Sequence, residues 1–407
     1  ISARLDGVIS LGNFGADYLG KVVRSTSAGN TPPLFRQVDD PGLQKRREAL
    51  RRKLAGLLPV PPIVWDRRTS PAGGFKAPVE LANGDILAAR TEGVPSGGVS
   101  IFAYRSTDGG KTWSRFGEIV HSDEPGIDIG DGHLMRLRNG DVLHSYRRNL
   151  VREHKFRLEV AISRDNGATW QPHSEVARAA GEFRGLWSTF LLEKSDGTLQ
   201  CYYDDEDTPS RNGFHRHQWL TMKTWDPRSK AWVNPVTVSR AHNPAHLSRD
   251  GMCSVVELSK DRLFCAFETV QTHPPHRGML MYVTSDDGGK TWSWQKKERD
   301  LLYQPPNPDF NALACWMIKL STGDLLCVFT TDEDREKPGV AATGVMDQSL
   351  KYIISRDGGK TWSRAAMIDP DHPIYFPGVC ELRYGEHKGS VLVQYSGRTR
   401  LGRITGK

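Results

Sequence analysis

One octapeptide, Ser-x-Asp-x-Gly-x-Thr-Trp, occurs four times, at Ser106–Trp113, Ser163–Trp170, Ser285–Trp292 and Ser355–Trp362. A pattern with five fixed positions that returns in this way commits the chain to a repeated architecture. The copies start 57, 122 and 70 residues apart. The middle interval is about twice the others, so a degenerate copy is expected inside it. Thr224-Trp225-Asp226 through Trp232 fits that place with one residue too many. Each copy describes a tight turn between two strands: the carboxylate accepts backbone N–H groups, glycine supplies a special backbone angle, and the indole packs beneath. The octapeptide is therefore expected to be a structural staple and not a catalyst.

A second repeat counts the units. Apolar runs joined by a short Gly/Asp turn recur at Leu81–Leu87, Leu137–Leu143, Lys194–Leu199, Leu258–Leu263, Leu320–Leu325 and Leu382–Leu392. These are hairpins. Six of them, spaced by about one four-stranded unit, predict an all-β, six-bladed β-propeller in a single domain over 1–407. The last hairpin ends too near Lys407 to supply a full blade, so an N-terminal strand, placed at Gly7–Gly12, is expected to close the ring and hide the edges. Asp40 as cap, Pro41, and Leu43, Leu50, Leu54 and Leu57 on one face predict a peripheral amphipathic helix over 41–58.

Composition excludes several classes. The 407 residues include 40 Gly and 11 Trp, ample for a large core, and no apolar run is long enough for a membrane span. Much of the net charge of +7 comes from Lys45–Lys53 on the predicted helix, read as a solvated face, so no nucleic-acid partner is expected. The six cysteines fall on repeat positions. Cys253, Cys315 and Cys380 lie in the first strand of three hairpins, and Cys201, Cys265 and Cys327 in the second, so they read as small buried hydrophobes between blades. No Cys-x-x-Cys pair suggests a metal, and no metal or cofactor is called for. The chain begins with Ile1, so either a leader has been removed or the sequence was trimmed; a secreted monomer is the expectation.

Function is expected at the axis, where the inner strands end. The first two blades offer Lys76, Arg90 and Glu92, then Asp128, Asp131, His133, Arg147 and Arg148. The third offers Trp187, Tyr202, Tyr203, Asp204 and Asp205, and the fourth Arg249, Asp250 and Glu268. Trp316 and Asp332 come from the fifth, and Tyr375, Tyr395 and Arg398 from the sixth. Carboxylates, guanidinium groups and aromatic rings in one pocket suit an oligo- or polysaccharide, and the many basic groups suit an anionic one.

The octapeptide resembles the Asp-box of the sialidase superfamily, whose members are β-propellers. Phe75-Lys76-Ala77-Pro78 with Leu81 and Gly84-Asp85 looks like that family's Phe-Arg-Ile-Pro segment, but Lys76 stands where a carboxylate-binding Arg is expected and cannot offer its bidentate fork. Glu268 occupies the place of another such Arg. Val393-Gln394-Tyr395-Ser396, followed by Arg400, is similar to the segment carrying the sialidase tyrosine nucleophile. From Leu186 to Gln271 the order of Leu186–Leu191, Cys201–Asp205, His217-Gln218, Arg249–Met252 and Ala266–Glu268 is similar to the family-93 exo-arabinanases. That resemblance implies that Glu268 is a catalytic carboxyl acting as general acid/base. Ser188 stands where the second carboxylate belongs, which leaves Asp131, Asp204 and Asp205 as candidates for its partner, or Tyr395 under a sialidase-like mechanism.

The expected activity is hydrolysis of terminal units from a plant or microbial glycan. Lys76, Arg90, Glu92, His133, Arg147, Trp187, Tyr202, Tyr203, Arg249, Asp250, Trp316, Tyr375 and Arg398 are expected to contact substrate. Two other classes stand beside it. A polysaccharide lyase would draw its base from His133, His144 or Tyr202 and its cation from Arg147 or Lys76. A non-catalytic glycan-binding propeller would explain the missing Arg and carboxylate.

Overall fold

The computed structural model describes residues 63–68, 77–95, 97–243, 247–271, 277–339, 347–371, 374 and 376–405. They form six four-stranded antiparallel sheets. The first blade is β2 (Val79–Glu80), β3 (Ile86–Gly93), β4 (Val99–Ser106) and β5 (Ser114–Ser122). The second is β6 (Asp128–Arg136), β7 (Val142–Asn149), β8 (Lys155–Ser163) and β9 (Gln171–Ala180), and the third β10 (Leu186–Glu193), β11 (Leu199–Asp205), β12 (Trp219–Asp226) and β13 (Ala231–Ser239). The fourth is β14 (Ser248–Ser259), β15 (Arg262–Gln271), β16 (Gly278–Ser285) and β17 (Asp300–Tyr303). The fifth is β18 (Ala312–Lys319), β19 (Leu325–Thr331), β20 (Ser349–Ser355) and β21 (Ala366–Asp369). The sixth joins β22 (Gly378–Glu381), β23 (Ser390–Tyr395) and β24 (Arg398–Ile404) to β1 (Ile63–Arg68). The first strands of successive blades, β2, β6, β10, β14, β18 and β22, contact one another in a closed ring.

The closing strand is therefore Ile63–Arg68, which pairs along its whole length with β24. Gly7–Gly12 and the expected helix over 41–58 lie outside the described residues. The six expected hairpins join the first and second strands of the six blades, and the same closing bond recurs: Leu81 N to Asp85 O, Leu137 N to Asp141 O and Leu320 N to Asp324 O, each 2.8 Å.

The octapeptides sit on the turn between third and fourth strands. In the first, Ser106 Oγ accepts from Gly110 N at 2.9 Å, Asp108 Oδ1 from Thr112 N at 2.9 Å, and Thr112 Oγ1 donates to Asp108 Oδ2 at 2.6 Å. Trp113 Nε1 closes the turn on Gly110 O at 3.2 Å. Burial opposes the charge of Asp108, but these hydrogen bonds outweigh it and hold the carboxyl at about 2. The degenerate copy makes the corresponding turn of the third blade, with Asp226 accepting from Arg228 N and from Ser229 N and Oγ. Each staple grips the preceding blade: Trp292 packs on Tyr202, and Trp362 on Phe264. The cysteines hold the small interblade positions. All six are free thiols, five of them buried and Cys380 half-buried.

Candidate functional site

The upper face is where first strands begin and second strands end. Four first strands bulge there, with register breaks between Gly130 and His133, Leu186 and Thr189, Gly251 and Ser254, and Leu313 and Trp316. A bulge leaves a residue unpaired and re-aims it. In β14 and β18 the bulges hold Met252 and Ala314 in the left-handed region, at φ 48° and 50°, a strained state for a residue with a side chain. Each turns its N–H toward a carboxylate of the preceding blade. Met252 N donates to Asp204 at 3.0 and 3.2 Å, and Ala314 N to Glu268 Oε2 at 2.6 Å. Asp204 and Glu268 occupy the same repeat position of β11 and β15, and the same backbone device orients both.

These carboxylates flank Gly251. Its Cα pairs with that of Glu268 across the β14–β15 ladder, and a Cβ on Gly251 would stand 2.9 Å from Asp204 Oδ2 and collide with Gln218 Nε2. Its φ is not left-handed, so glycine serves here for close approach alone. Around the pair, Trp187 Nε1 donates to Glu206 Oε1 at 2.9 Å, and the Arg249 guanidinium donates to Glu206 and to Gln218 Oε1, the latter at 2.7 Å. Gln218 also forms a parallel bridge with Arg249, which locks the third blade to the start of β14. Arg147 grips Asp128 through two bonds, 2.8 and 3.2 Å, and its guanidinium carbon lies 6.0 Å from the centre of the Trp187 ring. Blades two to four thus gather an aromatic ring, two cations and two oriented carboxylates.

Below them His133, Phe190 and Trp316 meet on the axis. His133 stacks on Phe190 at 4.5 Å and meets Trp316 edge-on at 4.9 Å, and all three line an axial cavity of about 410 Å³. Leu191 N donates to His133 Nδ1 at 2.9 Å. A backbone amide can only donate, so the imidazole proton sits on Nε2.

Several residues expected at the axis are turned elsewhere. Tyr202 and Tyr203 are buried between blades; Tyr202 hydroxyl donates to Gln200 Oε1 at 2.7 Å, and burial pushes both phenols well up. Tyr395 is fully buried, its hydroxyl hydrogen-bonded to Asp369 of the fifth blade and to Arg400 Nε at 2.9 Å, so it latches two blades. Asp205 accepts from Thr208 N at 2.9 Å, Thr208 Oγ1 at 2.5 Å and Thr221 Oγ1 at 2.8 Å, which ties down the short helix α1 (Asp207–Arg211). Burial is the main reason its carboxyl is raised. Asp250 is fully buried in an ion pair with Arg299. Glu92 is held by Tyr104 and by Arg115 at 2.5 Å, with Arg90 at 3.6 Å, and Arg398 lies exposed 3.9 Å from Asp371. Asp332 braces a loop through Asn311 and Gly339. His144 is buried and stacked on Tyr146. Lys76, Tyr375 and the side chain of Asp131 lie outside the described residues.

Sequence reasoning missed Glu206, Gln218 as the amide beside Asp204, and the structural need for Gly251. Gln218 stands next to His217 in the segment similar to the arabinanases, a signal that pointed to it; Glu206 had none, because its partners Trp187 and Arg249 are distant in the chain. Among the described residues no group of three His, Cys, Asp or Glu side chains could hold a metal ion.

Residues 84–397 match the family described as BNR repeat-like domain. No curated protein matches the chain. Similar solved structures include the GH93 alpha-L-arabinofuranosidase of Fusarium graminearum in complex with arabinobiose, 16% identical over 85% of this chain and 98% of that one, TM-score 0.58. Another is the Penicillium chrysogenum alpha-L-arabinanase complexed with arabinobiose, 20% identical over 83% and 94%, TM-score 0.58. A Hadza microbial sialidase is 15% identical over 81% of this chain and 65% of that one, TM-score 0.54. These likenesses establish a shared fold.

Proposed function

The chain belongs to the BNR repeat-like domain family, and from that premise we propose that it is a glycoside hydrolase that removes terminal units from a plant or microbial glycan, with arabinan the leading substrate. The observation that carries the reading is the pair Asp204 and Glu268 on either side of Gly251, each aimed by an N–H from a strained bulge. Protein structure is spent there on orienting two carboxylates, the equipment that glycosidic cleavage uses. Glu268 is assigned as the acid that protonates the leaving oxygen, and Asp204 as the second carboxylate, in place of the residue absent at Ser188. Trp187 offers a face to a sugar ring, and Arg147 and Arg249 grip hydroxyls or a carboxylate. A secreted protein fits a polymeric substrate of this kind.

The buried, latched Tyr395 speaks against a tyrosine nucleophile. His133, whose Nδ1 lone pair is taken and whose Nε2 carries the proton, lacks the free acceptor an eliminating base requires. The test is a screen of the protein against arabinan, sialyl conjugates and uronate-containing gums with products read by mass. Short arabino-oligosaccharides or arabinose are the expected products. Unsaturated uronate products, or binding with no cleavage of any glycan, would overturn the assignment.

A further inference from the structure

The loop entering β10 carries an aromatic ring that the proposed chemistry does not use. Phe183 is 43% exposed, although its backbone is held in the left-handed region at φ 58°. Arg216, also left-handed at φ 70°, places its guanidinium carbon 6.0 Å from the Phe183 ring centre, and His215 flanks the ring at 5.6 Å. Both backbones are pinned: Ser210 Oγ donates to Phe183 O, and Arg249 Nη1 donates to Arg216 O at 3.4 Å. Arg249 is the same residue that holds Glu206, which in turn holds Trp187. A continuous tie therefore fixes the outer ring of Phe183 relative to the inner ring of Trp187.

We propose that Phe183 and Arg216 form an outer carbohydrate subsite, a stacking face with an adjacent cation that takes sugar units of the polymer beyond those lying on Trp187 and the two carboxylates. This rests on the glycan reading above. An exposed ring on a strained backbone leaves apolar surface in water, which the hydrophobic face of a furanose or pyranose would cover. The neighbouring guanidinium would bond a sugar hydroxyl or carboxylate.

The experiment compares the full chain with Phe183→Ala and Arg216→Ala on arabino-oligosaccharides of increasing length, and measures retention of each, combined with Glu268→Gln, in gels containing arabinan or a uronate gum. The expected result is a kcat/KM lowered about three- to tenfold for the longer oligomers, with the disaccharide unaffected and retention in the gel weakened. A loss that is equal at every length, or no loss, overturns the subsite while leaving the hydrolase assignment intact. If the wild-type chain cleaves nothing, the hydrolase assignment fails and gel retention alone decides. Weaker retention of the Phe183→Ala protein supports the subsite; identical retention, or none, overturns it.

Discussion

Asp250→Ala should cost the fold about 3–5 kcal/mol, because it strands a buried cation. Asp250 has no solvent exposure, and the side chain of its partner Arg299 is 8% exposed. The carboxylate also accepts from Ser239 Oγ at 2.6 Å and Thr269 Oγ1 at 2.9 Å, so two further groups lose a partner with it. Burial opposes the charge of Arg299, yet Asp250 and Glu298 outweigh it and push the guanidinium's pKa above its ordinary value. Glu298 would remain beside Arg299 at 3.0 Å, which favours the lower half of the range. At about 2.1 cal/mol/K per residue, the roughly 320 described residues give an unfolding entropy near 0.7 kcal/mol/K, hence a fall in Tm of about 4–7 °C. Calorimetry reads this directly. Adding Arg299→Met should recover part of the loss, since the uncompensated charge is then gone. A KM raised several-fold with an unchanged Tm would refute the reasoning and return Asp250 to the substrate.

Three further outcomes follow from the same geometry. Tyr395→Phe removes a hydroxyl latched between blades, so urea unfolding should show a loss of about 1–2 kcal/mol while turnover stays within a factor of two or so; a collapse of kcat would restore the tyrosine nucleophile. Gly359→Ala places a Cβ 2.6 Å from the Phe264 ring at φ 87°, and should cost about 2 kcal/mol or more by thermal unfolding. The folded-state carboxyls of Asp108, Asp165, Asp287 and Asp357 are all lowered, Asp108 to about 2 from 3.8. A depressed folded pKa contributes stability above the unfolded value that is lost as pH falls through the folded one, so urea midpoints should drop between about pH 4 and pH 2. Thr112→Val, which deletes one of the bonds responsible, should flatten that drop.

The propeller was legible because its turns are local. The staples and the Gly/Asp hairpins are encoded within a few residues, and six copies set the blade count. The closing strand was not, since Ile63–Arg68 is recognised only by its ladder with β24, more than 300 residues away. At the site, position along the strand was readable but side-chain direction was not. Tyr203 and Asp204 are neighbours on β11, yet one packs toward the second blade and the other faces the fourth, as strand alternation requires. Tyr202, Tyr203 and Tyr395 share the strand-end position that suggested the axis, and the parity of the strand and its neighbours buries them. Asp205 and Asp250 look like site carboxylates until their partners appear: Thr208 and Thr221 for one, Ser239, Thr269 and Arg299 for the other. Such partners lie on other strands, beyond the reach of local pattern. The bulges that aim Asp204 and Glu268 left little trace, because Met252 and Ala314 are not the glycines a left-handed angle usually signals.

The most direct test of Glu268 as the proton donor compares Glu268→Gln with the wild-type chain on two substrates. One is an arabino-oligosaccharide, whose sugar leaving group needs a proton; the other is an aryl arabinofuranoside whose acidic phenol does not. Glutamine keeps the acceptor for Ala314 N, so the fold should be unchanged. The account predicts a fall of about 10²–10⁴ in kcat on the oligosaccharide and little change in bond cleavage on the aryl glycoside. Equal losses on both, or full activity on the oligosaccharide, would contradict it.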